Sequence, residues 1–297
     1  MHNASLMWNH WTLRACTPYK PFKDFQTASA VWNALRENFP DALAAILMPN
    51  HLHLILPAKT ESKTRRRFAG IMGPVSKSCE VSGLWQPMPP PAQIPDRLHL
   101  RRQIRYVALN PCRSDLCSDP LEWIWSTYRD VMGATVNPWV NAETIVEVLN
   151  ERQKGFAVRF HAYVSGDPSV AIEGTKPPVA ATSKPWPFES IGEILYAAAA
   201  TLQVPPSQVQ NRSALRDLFV QLAFRQGWRQ VPALAQTCRT TTRAIHYILE
   251  KPPNASALSA AALCLGDERL RKEFRSMKVD LGEELQVKRK ALIRGGE

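Results

Sequence analysis

Long apolar runs are missing from this chain. None approaches the roughly 18 residues of a membrane-spanning helix, and the alanine-rich stretch Ala197–Ala200 is too short to span anything. The amino terminus, Met1-His2-Asn3-Ala4-Ser5, has neither the basic region nor the apolar core of a secretory signal. The six cysteines (Cys16, Cys79, Cys112, Cys117, Cys238, Cys264) include no pair at the two-residue spacing of a zinc ribbon or redox motif. They read as reduced thiols that pack as small hydrophobes. Acidic side chains are also scarce, 26 against 37 Lys and Arg, which leaves a net charge of +11. A surplus of that size concerns partners more than fold, and it favours nucleic acid over a membrane surface. The chain therefore reads as soluble and cytoplasmic, with no membrane partner.

What is present falls into two texts. In the first, Trp11 to Cys16 reads as a strand. Phe25, Ala28, Trp32, Leu35 and Phe39 then form one helical stripe, stopped by Pro40-Asp41. Ala42 to Met48 and His51 to Leu56 are apolar runs on either side of Pro49-Asn50, the pattern of a hairpin. The basic segment Lys63 to Lys77 follows, its helix weakened by Gly70, Gly73 and Pro74. Pro87 to Pro91, with four prolines, is expected as loop or sheet edge. Asp96 caps a second helix with Leu100, Ile104 and Val107 on its buried side, and Pro111 is expected to end it. From Gly166 to Pro187 the composition turns to proline, alanine and serine and reads as a linker. Beyond it the pattern is helical throughout.

Two groups of residues carry chemistry. On a strand, His51 and His53 share a face, and two imidazoles ~7 Å apart can share a metal ion. A solvent-facing or structural pair is the plainer alternative. On the second helix, Tyr106 and Asn110 share a face with His99, Arg102 and Gln103. The plainer alternative there is a half-exposed phenol hydrogen-bonded nearby. A phenol is a weak nucleophile at neutral pH. It becomes competent toward a phosphodiester when a metal polarises the phosphate and cations neutralise the developing charge. His51, His53 and the Asn110 amide oxygen form a donor set suited to magnesium or manganese, and zinc also fits. Residues 61 to 113 hold ten basic side chains, among them Arg65, Arg66, Arg67, Arg102 and Arg105, against three acidic ones. That concentration supports phosphate contact.

The order of four motifs resembles the single-tyrosine HUH nucleases in their REP-associated tyrosine transposase form. They are Met48-Pro49-Asn50-His51-Leu52-His53-Leu54-Ile55; Gly83-Leu84-Trp85-Gln86; Arg105-Tyr106-Val107-Ala108-Leu109-Asn110-Pro111-Cys112-Arg113; and Trp123-Ile124-Trp125-Ser126-Thr127-Tyr128-Arg129-Asp130. Together they cover roughly residues 8 to 133. The resemblance implies an α/β (α+β) ferredoxin-like domain with an antiparallel sheet and the two histidines on a central strand. It also implies Tyr106 as nucleophile, a 5′-phosphotyrosine intermediate with a free 3′-hydroxyl, and single-stranded or hairpin repeat DNA as substrate. The sequence departs from the family where Pro87-Met88-Pro89-Pro90-Pro91 replaces a stretch of glycine with basic or aromatic residues.

Residues 188 to 277 resemble the carboxy-terminal, helix-turn-helix DNA-binding domain of the replication initiator DnaA. On that resemblance Val231 to Thr237 supports and Thr241 to Glu250 recognises, with Arg239, Thr241, Thr242, Arg243 and His246 toward double-stranded DNA. A plain helical bundle is the alternative. The expected organisation is thus a nuclease domain over 1–165, a linker over 166–187, an all-α domain over 188–277 and a charged tail over 278–297. The expected activity is metal-dependent cleavage and transfer of single-stranded DNA in the cytoplasm, at the nucleoid. Two rivals remain: a non-catalytic DNA-binding relative, and a phosphodiesterase that uses water in place of Tyr106.

Overall fold

In the computed structural model of the chain, the first strand, β1, is Trp8–Arg14. Residues 7–58, 60–172, 176–183, 189–277 and 279 are described. The strand starts earlier than the apolar run suggested, because Trp8 and Asn9 pair across to Pro57 and Leu56. Helix α1 (Phe25–Asn38) follows, capped by the Asp24 carboxylate, which accepts from Thr27 N–H. Strands β2 (Ala44–Leu47) and β3 (His51–Pro57) make the hairpin, helix α2 spans Glu61–Ser78, and β4 is Ala92–Ile94. The four strands form one antiparallel sheet in the order β2-β3-β1-β4. With its flanking helices this is a mixed α+β unit.

Register sorts the two sheet faces. Thr12 pairs with His53 and Arg14 with His51, so His10, Thr12 and Arg14 share a face with His51 and His53. Trp11, Leu13, Leu52 and Leu54 line the other face, where α1 and α2 pack. The Trp11 and Phe68 rings lie 5.9 Å apart, and those of Phe39 and Phe68 4.8 Å apart. Helix α2 runs unbroken through Gly70, Gly73 and Pro74. Its buried stripe of Phe68, Ile71, Met72 and Val75 outweighs their helix cost, about 1 kcal/mol per glycine and about 3 for proline.

Helix α3 (Arg97–Arg113) corrects a second expectation. Pro111 does not end it, and Asn110 keeps helical geometry. The turn Val107–Cys112 is buried, and that packing retains the proline inside the last turn. The helix closes in a Schellman motif with Asp115 left-handed, Leu116 N–H donating to Pro111 O and Asp115 N–H to Cys112 O. Shorter helices α4 (Thr127–Val131), α5 (Ala142–Leu149) and α6 (Phe156–Ser165) complete this unit. Thr127 Oγ1 accepts from Ala45 N–H at 2.9 Å and donates to Ala45 O at 3.2 Å, which occupies the outer edge of β2.

A second unit takes in Gly133–Asn137 and the chain from Pro178 onward, while Pro138–Pro177 belongs to the first. It holds α7 (Ile191–Leu202), α8 (Ala214–Arg225), α9 (Val231–Thr237), α10 (Thr242–Glu250), α11 (Ala255–Gly266) and α12 (Lys272–Ser276). Alanines let α7 and α11 approach closely. Buried Arg216 links three carbonyls, those of Val209, Gln210 and Cys238. The stretch read as a linker is partly packed: Asp167 is buried in the first unit, and Ala181 N–H donates to Ala262 O in the second. Gly266 is required there, since a Cβ would stand 1.9 Å from Val179 O. The charged tail, Val279 apart, lies outside the described residues.

Thr127→Val tests the edge contact. It leaves a buried N–H and C=O of β2 without partners and should cost about 2–4 kcal/mol in urea unfolding followed by tryptophan fluorescence. A loss below about 0.5 kcal/mol would show that the hydroxyl does not hold the edge.

Candidate active site

The face of the sheet that carries His51 and His53 is covered by α3. Strand alternation presents both imidazoles there, and helical periodicity presents Tyr106 and Asn110 one turn apart. The Tyr106 ring centroid lies 5.7 Å from that of His53. His51 and His53 are 5.1 Å apart, ring to ring and edge-on. Asn110 Nδ2 donates to Tyr106 O at 3.4 Å, and its side chain stands beside His51 and His53, where it works against the lowering of their pKa values. The structure therefore brings together Tyr106, Asn110, His51 and His53.

His10 joins them, and sequence reasoning missed it. Its ring lies 5.0 Å from His53 and 6.0 Å from Tyr106. Its Nε2 is 3.0 Å from His53 Nδ1, and Thr12 Oγ1 is 3.1 Å from the same nitrogen. The signal was available: extending the first strand back by three residues puts His10 two positions before Thr12 on one face. On the far side, Asn50 Oδ1 accepts from His51 Nδ1 at 2.7 Å. His51 and His53 thus each meet a neighbour through Nδ1, which turns Nε2 of both rings toward any shared ligand, whereas His10 meets His53 through its own Nε2.

Burial keeps these rings neutral. Desolvation lowers His10 to about 4. It lowers His51 to about 4, with nearby Arg14 adding to the effect and Asn110 opposing it. His53 falls to about 3, first through burial, then through His10, His51 and Arg14. Two neutral imidazoles and an amide oxygen are a chemically fitting set for a divalent ion. Among the described residues, no three His, Cys, Asp or Glu side chains are arranged to hold a metal.

The arginines divide. Arg65 is taken up by the fold: it donates to Glu61 at 2.7 Å, to Met88 O at 2.8 Å and to Pro89 O at 3.0 Å. Both carbonyls belong to the proline-rich stretch, so Arg65 is tied to it. Arg67 donates to Asn38 O, and Arg66 is exposed beside α1. All three stand on α2, which packs against the opposite sheet face, so they do not flank the histidines as their place in the sequence suggested. Arg102 is exposed on α3. Arg105 pairs with Asp167, and the Arg113 guanidinium lies 5.0 Å over the Tyr106 ring. In the second unit Thr241, Thr242, Arg243 and His246 are exposed at the start of α10. Arg239, exposed with a left-handed φ of 46°, forms the turn before it.

Fold and site together define a class: an antiparallel α+β unit presenting imidazoles, an amide and a phenol on one sheet face, in a chain with an all-helical unit. No family model matches the chain, and no curated protein matches it. Among solved structures, a REP-associated tyrosine transposase bound to a REP hairpin is similar at 18% identity, with a TM-score of 0.36 over 42% of this chain and 78% of that one. Likeness at that level carries no weight for activity. Among the described residues no helix is long and apolar enough to cross a membrane.

The lowered histidines predict a pH dependence. Unfolded imidazoles titrate near 6.5, well above the folded values of about 4 and about 3. Between those limits the unfolded chain binds more protons. The stability contributed by this cluster is complete above about pH 6.5 and declines as pH falls toward 4. The urea midpoint should drop between pH 7 and pH 4.5, and His10→Gln should flatten that drop. An unchanged profile in the variant would contradict the assignment.

Proposed function

We propose that the protein is a metal-dependent single-tyrosine DNA endonuclease and strand transferase acting on single-stranded or hairpin DNA. One observation carries this reading: Tyr106 sits against His53 and His10 on the same face as Asn110, with a guanidinium over its ring. Phenylalanine would make the same ring contacts with the imidazoles, so packing alone gives no reason for a tyrosine here. The strand order and the βαββαβ succession of elements support a ferredoxin-like nuclease unit.

His51, His53 and the amide oxygen of Asn110 are the residues that would hold magnesium or manganese. Such an ion supplies Lewis-acid polarisation of the scissile phosphate. The chain's own groups do the rest. Tyr106 gives up its phenolic proton as its oxygen bonds to phosphorus, the bond from phosphorus to the 3′-oxygen breaks, and that oxygen takes up a proton to leave as a 3′-hydroxyl. The product is a 5′-phosphotyrosine, whose bond energy is retained for rejoining to another 3′-hydroxyl. Arg113 faces the charge that develops at the phosphate, and Arg102 is placed for backbone contact along α3. On this reading the protein works on nucleoid DNA in the cytoplasm.

For the second unit the proposed role is a DnaA-like helix-turn-helix that grips duplex DNA, with α9 supporting and α10 reading. The exposed set Thr241, Thr242, Arg243 and His246, with Arg239 in the turn, supports this. Arg243→Ala should weaken duplex binding at every sequence and lower the salt slope by about one. An unchanged slope would mean that α10 does not meet phosphate.

Tyr106→Phe keeps the ring and removes the attacking oxygen. With hairpin DNA and manganese, wild type should give a protein–DNA adduct on a denaturing gel. The variant should give neither adduct nor cleavage while binding DNA normally. Cleavage by the variant would point to water as the nucleophile. A wild type that binds but never cleaves would point to a DNA-binding protein without catalysis.

A further inference from the structure

The segment after α6 looks like the start of a linker in sequence, yet Asp167 is among the buried charged residues of the first unit, only 7% exposed. Its carboxylate lies 3.0 Å from Arg105 Nε and 3.2 Å from Arg113 Nη2. Both arginines belong to α3, one immediately before Tyr106 and the other two turns after it. Ser169 fixes the acid from the other side, donating to Asp167 Oδ1 from its N–H at 3.0 Å and from its hydroxyl at 2.6 Å. The same hydroxyl accepts from Arg113 Nη2 at 3.1 Å. Against the burial that raises it, the Ser169 bonds and the two arginines hold the Asp167 carboxyl below the usual range.

Arg105 is further confined over the Tyr163 ring, 4.4 Å from its centroid. Arg113 is confined over Tyr106. The acid is deep and the cation shallower: the Arg113 side chain is 30% exposed against 6% for Asp167. Arg113 meets both Asp167 and Ser169 through Nη2, and a guanidinium has five N–H donors, so Nε and Nη1 can meet a phosphate oxygen without displacing the acid.

From this geometry, and resting on the reading of Tyr106 as nucleophile, we infer that Asp167 is a positioning residue that fixes Arg113 over the phenol. A long arginine left free loses little attraction for DNA but samples many rotamers, so its charge is seldom where the reacting phosphate needs it. The effect of Asp167 therefore falls on the chemical step and not on binding.

The test compares Asp167→Asn with wild type in the full chain, by three readouts. These are the nitrogen NMR signals of the Arg105 and Arg113 side chains, affinity for single-stranded hairpin DNA, and the rate of adduct formation at saturating DNA with manganese. The expected result is displaced or broadened arginine signals, unchanged affinity and an adduct rate lower by about 10- to 100-fold. Ser169→Ala, a milder change, should act in the same direction with a smaller loss.

Three results would overturn the inference. Unchanged arginine signals would show that Asp167 does not hold them. Tighter binding with faster adduct formation would make Asp167 a competitor of the phosphate. Equal losses of affinity, rate and melting temperature would make it a structural anchor alone. If wild type forms no adduct, the Tyr106 reading fails, and the arginine signals still decide whether Asp167 holds Arg105 and Arg113.

Discussion

The antiparallel pairing of β1 with β3 is the constraint on which the rest depends. With Thr12 opposite His53 and Arg14 opposite His51, one face collects His10, His51 and His53, and the other collects Trp11, Leu13, Leu52 and Leu54. A slip of β3 by one residue would turn His51 and His53 into the packing with α1 and α2, and Leu52 and Leu54 to the side of α3, away from His10. The aromatic contacts of Trp11 and Phe39 with Phe68 make that slip costly. The hydrophobic side of the sheet therefore sets the geometry of its polar side.

Covering the polar face with α3 has an electrostatic consequence. Burial removes the histidines from water and disfavours their charged forms, while Asn50 meets Nδ1 of His51, and Thr12 and His10 meet Nδ1 of His53. The rings are neutral at physiological pH, the state in which imidazole can serve as a ligand, and Nε2 of His51 and of His53 is the nitrogen not held by Asn50, Thr12 or His10. Asn110 stays one turn from Tyr106 only because α3 remains helical through Pro111.

Much of this was legible in sequence because it rests on short-range periodicity. The alternation His51-Leu52-His53, the four-residue spacing of Tyr106 and Asn110, and the helices Val231–Thr237 and Thr242–Glu250 all follow from local pattern. What was not legible depends on packing between distant segments. His10 lies 43 residues from its partner His53, and nothing local marks it. The unbroken course of α2 through two glycines and a proline was hidden because tertiary burial, not propensity, decides it. Arg65 reads like its neighbours, yet it alone of the three meets the carbonyls of Met88 and Pro89. Asp167 in Gly-Asp-Pro carries a turn signature, and only the fold shows that its carboxylate faces inward.

The central claim is that His51, His53 and Asn110 form a site for a divalent ion beside Tyr106. Electron paramagnetic resonance of the protein titrated with manganese tests it directly, because nitrogen ligands leave a hyperfine signature on the bound ion. The account predicts a bound ion with directly coordinated imidazole nitrogen, and loss of that signature in a variant with both His51→Gln and His53→Gln. A spectrum of free manganese, or a bound ion whose nitrogen signature survives both substitutions, would contradict it.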